Sequence, residues 1–350
     1  MEKRVNKMAL NKLKNISPQA ITSASSALVK MQFLEAEQPM PLVVTPLAED
    51  VDLSAWIGNN QETLRTKLSE HGALLFRGFR IISIEEFEKS AQALCPELFG
   101  EYGDLPRAGV GGNVYMSTPY PADKAILFHN ESSHLNSWPM KQWFFCVQPS
   151  QEGGETPIVD SRLIYRRLAP EIRERFEQKQ LLYVRNFIPG LDVSWQDFFR
   201  TTDKTVVEDY CQKANIVCEW KGQDHLRTSQ VRSAVARHPL TQEKVFFNQI
   251  PLHHFSCLET SVQESLLALF GKENLPRHVY YGDGSPIEDS LVAEIVNLYW
   301  ENTISFPWQQ YDILMIDNML VAHARKPFAG ARKIVVAMGE MFSRQDLPQV

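Results

Sequence analysis

Two apolar runs, far apart in the chain, each carry a histidine. One is Leu127-Phe128-His129-Asn130-Glu131, the other Met315-Ile316-Asp317-Asn318-Met319-Leu320-Val321-Ala322-His323. Side chains at i and i+2 of an extended strand point to one side, so His129 and Glu131 can converge. If His323 joins them, the intervening chain must return on itself, and both halves belong to one closed fold. Length constrains less: 350 residues allow one large domain or two ordinary ones. No linker or internal repeat divides the sequence. The reading is residues 1–40 as a loosely held lead-in and 41–350 as a single domain with insertions.

Local patterns fill in that domain. Gln61–Glu70 has helical periodicity through Leu64 and Leu68, closed by Gly72 as a C′ glycine. Ala73–Phe76 is a short apolar run expected as a buried strand. Ser83–Leu94 reads as a helix with Ser83 as N-cap and Glu86 at the capping-box position. Residues 101–125, rich in Gly and Pro, read as an irregular loop. Gly109-Val110-Gly111-Gly112 within it lacks the helix and Lys-Ser/Thr pair of a phosphate loop. Asp160-Ser161 can cap one helix with Ile164, Leu168, Ile172 and Phe176 on a single face. Its arginines, Arg162 to Arg175, alternate with glutamates and read as a solvated face. Short strands dominate both flanks, with helices between. The fold class expected is mainly β with helical decorations.

Composition excludes more than it assigns. With 44% hydrophobic and 22% charged residues, the chain is neither disordered nor of low complexity. A net charge of −6 gives no general attraction to nucleic acid or anionic lipid. No apolar run reaches the length of a membrane span. Five cysteines without a CxxC pair fit reduced thiols and a cytoplasmic protein. The basic residues Lys3 to Lys14 lack the apolar region of a secretory signal and read as a soluble tail.

Two histidines and one carboxylate on one face of a metal leave neighbouring positions open, the arrangement of non-haem Fe(II) oxygenases. HxE alone is a weak signal, since such tripeptides are common by chance. The neighbouring residues strengthen it. Gly153-Gly154-Glu155-Thr156-Pro157 offers close backbone approach and a hydroxyl for an oxyanion. Beyond His323, Ala331-Arg332-Lys333-Ile334 supplies a basic residue that can clamp a carboxylate, in bidentate fashion if it is arginine.

In that order, HNE, GGETP, DN, HARKPF and GARKI, the chain resembles the TauD/TfdA family of Fe(II)/2-oxoglutarate-dependent dioxygenases. It is most similar to the SyrP-like branch, associated with amino acid hydroxylation in nonribosomal peptide pathways. The resemblance runs from about residue 70 to 342. It implies a double-stranded β-helix, the clavaminate synthase-like jelly-roll, with Fe(II), 2-oxoglutarate as cosubstrate and O2. It implies His129, Glu131 and His323 as metal ligands, Thr156 on a 2-oxoglutarate carboxylate, and Arg332 on the distal carboxylate. Family spacing also admits Lys333 in that last role; Arg332 is preferred for its planar fork. Retention of Glu131 argues against halogenation, which in related enzymes uses a small residue there.

The implied reaction is hydroxylation of an unactivated C–H bond of an amino acid, free or tethered to a peptidyl carrier protein, with release of succinate and CO2. Desaturation, cyclisation or epimerisation could use the same iron site, and a jelly-roll binding protein stabilised by its metal is the non-enzymatic alternative. A homo-oligomer is compatible with the sequence. For substrate contact the candidates are His134, Arg185, Asn186 and Arg325. His134 follows His129 in one segment, Arg185 and Asn186 end an apolar run, and Arg325 shares a face with His323 if that stretch is extended. His253 and His254, if in a strand, would point opposite ways and could not share a metal.

Overall fold

The computed structural model describes residues 28–35, 38–99, 108–188, 190–191, 193–222 and 224–348. The basic stretch Lys3 to Lys14 lies outside them, as do residues 101–107 of the loop expected over 101–125.

The backbone of the molecule is an eight-stranded sheet. Its spatial order is Val29–Phe33, Leu42–Pro46, Ala73–Phe76, Ile313–Asp317, Ser137–Gln148, Lys333–Ser343, Val114–Met116, Gly109–Gly111. Every pairing is antiparallel except that of Leu42–Pro46 with Ala73–Phe76. A smaller sheet orders Ile126–His129, Val321–Arg325 and Ile158–Asp160. Phe144, Ile316, Ile334 and Val336 of the large sheet pack with Ile158 and Val321 of the small one in a shared apolar core. Two packed sheets of mostly antiparallel strands with helices outside make the jelly-roll expected above.

A third sheet is an insertion, ordered Val217–Trp220, Leu226–Arg232, Leu181–Phe187, Arg277–Tyr281. With the helices Trp195–Phe199 and Lys204–Lys213 it has a core of its own, formed by Phe187, Trp195, Val207, Cys211 and Leu226.

The helices start and stop for local reasons. Gln61–His71 buries Leu64 and Leu68 and ends at Gly72, whose φ of 75° is the left-handed C′ conformation. Ser83 caps Ile84–Gln92 by accepting the Glu86 N–H at 3.2 Å. Glu86 returns a bond to the Ile82 N–H at 2.8 Å, one residue earlier than in a capping box.

Several expectations change. The lead-in ends sooner, since Val29–Phe33 is already paired in the large sheet. The glycine-rich loop contributes the strand Val114–Met116 and the edge strand Gly109–Gly111. The helix after Asp160 is two, Ser161–Arg167 and Pro170–Lys179, because Pro170 disfavours helical geometry at Ala169. All four predicted apolar residues remain buried. Arg162 is not solvated: its guanidinium is buried against Asp160 at 2.9 Å and reaches Glu243 at 3.1 Å. His253 closes a short helix, Ile250–His253, rather than lying in a strand.

Candidate metal centre and its cavities

His129 and His323 are directly opposed in the antiparallel pair of Ile126–His129 with Val321–Arg325. Opposed residues of such a pair project to one face, which brings two distant histidines together. Their ring centroids lie 4.3 Å apart. Glu131 Oε2 is 3.9 Å from His129 Nε2. One ligand atom from each of His129, Glu131 and His323 falls within 4.8 Å of the others, and all three side chains are buried.

Glu131 does not arrive by strand alternation. The strand stops at His129, Glu131 opens a turn, and Ser132 takes a left-handed φ of 56°. Asn318 fixes the turn. Its side-chain oxygen accepts the Glu131 N–H at 2.7 Å, and its amide donates to the Glu131 carbonyl at 2.9 Å and the Pro139 carbonyl at 2.9 Å. Asn130, between the two ligands, donates to the Asn318 carbonyl at 2.7 Å. Beneath them lies a buried charge network. The Lys141 ammonium is 2.6 Å from Asp317, and His238 is 3.3 Å from the same oxygen. Burial pushes the Asp317 carboxyl up, but Lys141 and His238 outweigh it and hold the group below the usual carboxylate range. Neither His238 nor Asn318 stands out from the sequence as part of the site. The Asp-Asn pair just before His323 was the available signal.

The donor set fits a divalent metal. His129 Nδ1 lies 2.8 Å from the Leu127 carbonyl, which can only accept, so Nδ1 carries the proton and Nε2 keeps its lone pair. Two imidazoles and a carboxylate grouped on one side leave room for further ligands.

A cavity opens at the triad. Thr156, Arg325 and Arg332 line it together with all three candidate ligands, and Lys333 does not. Among the described residues its charged lining is two guanidiniums and one carboxylate, which suits an anion. Arg332 Nε donates to the Gly154 carbonyl at 2.8 Å, and the guanidinium lies 5.4 Å from the Phe328 ring. Burial and nearby Arg325 push Arg332 down to about 10, still cationic at neutral pH. A Cβ on Gly154 would stand 2.4 Å from Ser150 Oγ and 3.0 Å from Arg332 Cδ, at a φ of 73°. Glycine is what lets the backbone approach this arginine. Thr156 Oγ1 accepts from Trp308 Nε1 at 3.3 Å, which directs the hydroxyl proton elsewhere.

The proposed substrate residues divide. His134 is buried and lines a second cavity that also meets His129 and Glu131. Arg185 lines a third. Arg325 faces the triad cavity, yet its terminal nitrogens donate to backbone carbonyls: Tyr120 at 3.0 Å, Lys124 at 2.6 Å, and Pro121. It anchors the loop whose Ser117 and Thr118 line the cavity. Asn186 corrects the sequence reading. It is fully buried, donates to the Leu275 carbonyl at 2.8 Å, and lines none of these three cavities. As Arg185's neighbour in a strand, it points to the opposite face.

Among known proteins, residues 41–338 match the family described as taurine catabolism dioxygenase TauD, TfdA family. The dapdiamide synthesis protein DdaC of Enterobacter agglomerans is 44% identical over 272 residues, covering 77% of this chain and 83% of that one. A clavaminate synthase-like protein of Arabidopsis thaliana is 30% identical over 321 residues, covering 86% and 94%. A structure of PvcB, described as an Fe, alpha-ketoglutarate-dependent oxygenase from an isonitrile synthetic pathway, superposes with a TM-score of 0.52 at 15% identity. It covers 95% of this chain and 98% of that one, a likeness of fold.

Proposed function

The chain belongs to the TauD/TfdA family of Fe(II)- and 2-oxoglutarate-dependent dioxygenases, and within that family we propose that it hydroxylates an unactivated C–H bond of an amino acid or amino-acid derivative, free or carrier-tethered, in secondary metabolism. The relatives named for dapdiamide synthesis and for an isonitrile pathway support the metabolic setting. The observation that carries the reading is the convergence of His129, Glu131 and His323 at a cavity whose other charged residues are arginines.

In this reading His129, Glu131 and His323 hold Fe(II), which with 2-oxoglutarate and O2 supplies oxidising chemistry coupled to release of CO2 and succinate. The chain's own residues position and exclude. Leu127 keeps the His129 proton on Nδ1, away from the donor atom. Asn318 holds Glu131 by its backbone, so the carboxylate enters the site from a fixed stem. Arg332, tied to Gly154, receives the distal carboxylate of 2-oxoglutarate, and Thr156 donates its hydroxyl to the same anion. Arg325 holds the 117–124 loop over the cavity and limits entry of water. Among the described residues no helix is long and apolar enough to cross a membrane, and we place the enzyme in the cytoplasm.

The test is succinate formation with Fe(II), 2-oxoglutarate and isotopically labelled O2 across a panel of free and N-acylated amino acids. We expect stimulated succinate release and a product with one added, labelled oxygen. A product short of two hydrogens and without label assigns the site to desaturation or cyclisation. No stimulation by any panel member contradicts the substrate class.

A further inference from the structure

The triad cavity and the second cavity meet at the ligand residues. His129 and Glu131 wall both, whereas Thr156 and Arg332 line only the first, and Gln249 and Arg277 only the second. Arginine therefore stands on both sides of the ligand residues. The His134, His253 and Tyr183 rings pack in mutual contact, with centroids 4.8, 5.1 and 5.5 Å apart, and close the wall toward the third cavity. A ligand in the second cavity is confined between that wall and the metal ligands.

Among the described residues that line the second cavity, two carry a formal charge with histidine neutral, Glu131 and Arg277. Glu131 belongs to the metal ligands, so the charge a further ligand meets there is a guanidinium. Arg277 opens the strand Arg277–Tyr281 and stands directly opposite Arg185 of Leu181–Phe187. Opposed residues project to one face, and like charges so placed destabilise the pair, a cost that an anion on that face lowers. Five donors let a guanidinium take a carboxylate alongside its contacts within the protein. Gln249 adds a second, oriented group. It is buried, and its Nε2 donates to the Asn130 carbonyl at 3.0 Å. That carbonyl can only accept, so the orientation of the carboxamide is fixed, and the acceptor Oε1 is the end left for the cavity.

We propose that the second cavity holds the substrate by its amino-acid head, with the carboxylate on Arg277, the amino group on Gln249 Oε1, and the side chain directed toward His129 and Glu131. The inference rests on the hydroxylase reading for the reaction at the metal. It narrows that reading to amino acids whose carboxylate is free rather than esterified or joined to a carrier protein. A carboxylate matches the planar fork of arginine, whereas a thioester presents no anion to it. An ammonium group supplies the donors that Oε1 accepts.

The probes are the protein L-amino acids, each as the free acid and as the primary amide. Binding is measured by calorimetry under anaerobic conditions on protein loaded with Fe(II) and 2-oxoglutarate. At least one free acid should bind wild type, and about tenfold more tightly than its amide or better. Arg277→Gln should erase that preference and Arg277→Lys should retain part of it. The best-bound acid without its amino group should bind wild type about tenfold more weakly. Binding of no free acid, equal binding of acid and amide, a preference that survives Arg277→Gln, or a deaminated acid that binds as well as its parent overturns the proposal. The wild-type comparisons need no variant to fold. Because binding is read without turnover, the two readings fail separately. Loss of the acid preference sinks the head site alone, and a head site that discriminates in an enzyme forming no hydroxylated product sinks the reaction.

Discussion

At the residue scale, the site depends on groups that touch no reactant as much as on those that do. Asn318 spends its carboxamide on both backbone polar groups of Glu131, the same pair of bonds a neighbouring strand would supply. Removing such a partner typically weakens metal binding by about 10–100-fold. Asn318→Ala should therefore lower affinity for Co(II), read by titration of its visible absorption, by roughly that factor. Affinity equal to wild type would remove Asn318 from the centre. On the anion side, Arg332→Lys keeps the charge but loses the fork and the Nε bond to Gly154. Its KM for 2-oxoglutarate should rise by about tenfold, with a smaller change in kcat. Lys333→Ala should leave that KM near wild type, since Lys333 lies outside the cavity lining.

At the scale of elements, the strand carrying His323 is packed against the end of a helix. A Cβ at Gly72 would meet Val321 Cγ2 at 2.7 Å, two residues from His323, and the φ of 75° is unfavourable for any side chain. Gly72→Ala should cost about 1–3 kcal/mol, measured by urea unfolding. A loss of only a few tenths would mean the turn can relax. Elements were legible in the sequence where local rules decide them. Gly72 ended one helix, Ser83 capped another, and the apolar run Ala73–Phe76 was a buried strand. The reading failed where tertiary contacts decide. Arg162 belongs by spacing to a solvated helix face, and burial against Asp160 and Glu243 is a property of the packed sheets and the turn before Lys244. Glu131 was legible as a candidate ligand through HxE. Its route into the site was not, because the turn is held by Asn318 from a distant segment. Strand alternation puts Arg325 on the face of His323, but its bonds to Tyr120 and Lys124 depend on a loop conformation that alternation does not encode.

At the scale of the whole molecule, the two histidine segments meet because the jelly-roll makes their strands neighbours, and a buried ion network sits beneath the junction. Lys141 from the long strand Ser137–Gln148, Asp317 from Ile313–Asp317 and His238 from the Val235–Arg237 hairpin converge there. Lys141→Met would leave the Asp317 charge buried without its main partner, a loss of about 3–5 kcal/mol in urea unfolding. The Asp317 carboxyl is held below its unfolded value of about 4. Its contribution is therefore present above about pH 4 and is lost as pH falls toward the lower folded value. Asp317→Asn should flatten the decline of stability over that acid range, and an unchanged slope would show that other carboxylates set it. The central claim remains that the triad and the arginine cavity form one centre. It is tested most directly by anaerobic titration of the protein, first with Fe(II) and then with 2-oxoglutarate, followed by visible absorption. A charge-transfer absorption that saturates at one metal and one 2-oxo acid per chain, and is absent from His323→Ala at comparable folded content, is the predicted result. Saturation without that absorption, or an unchanged absorption in His323→Ala, would contradict it.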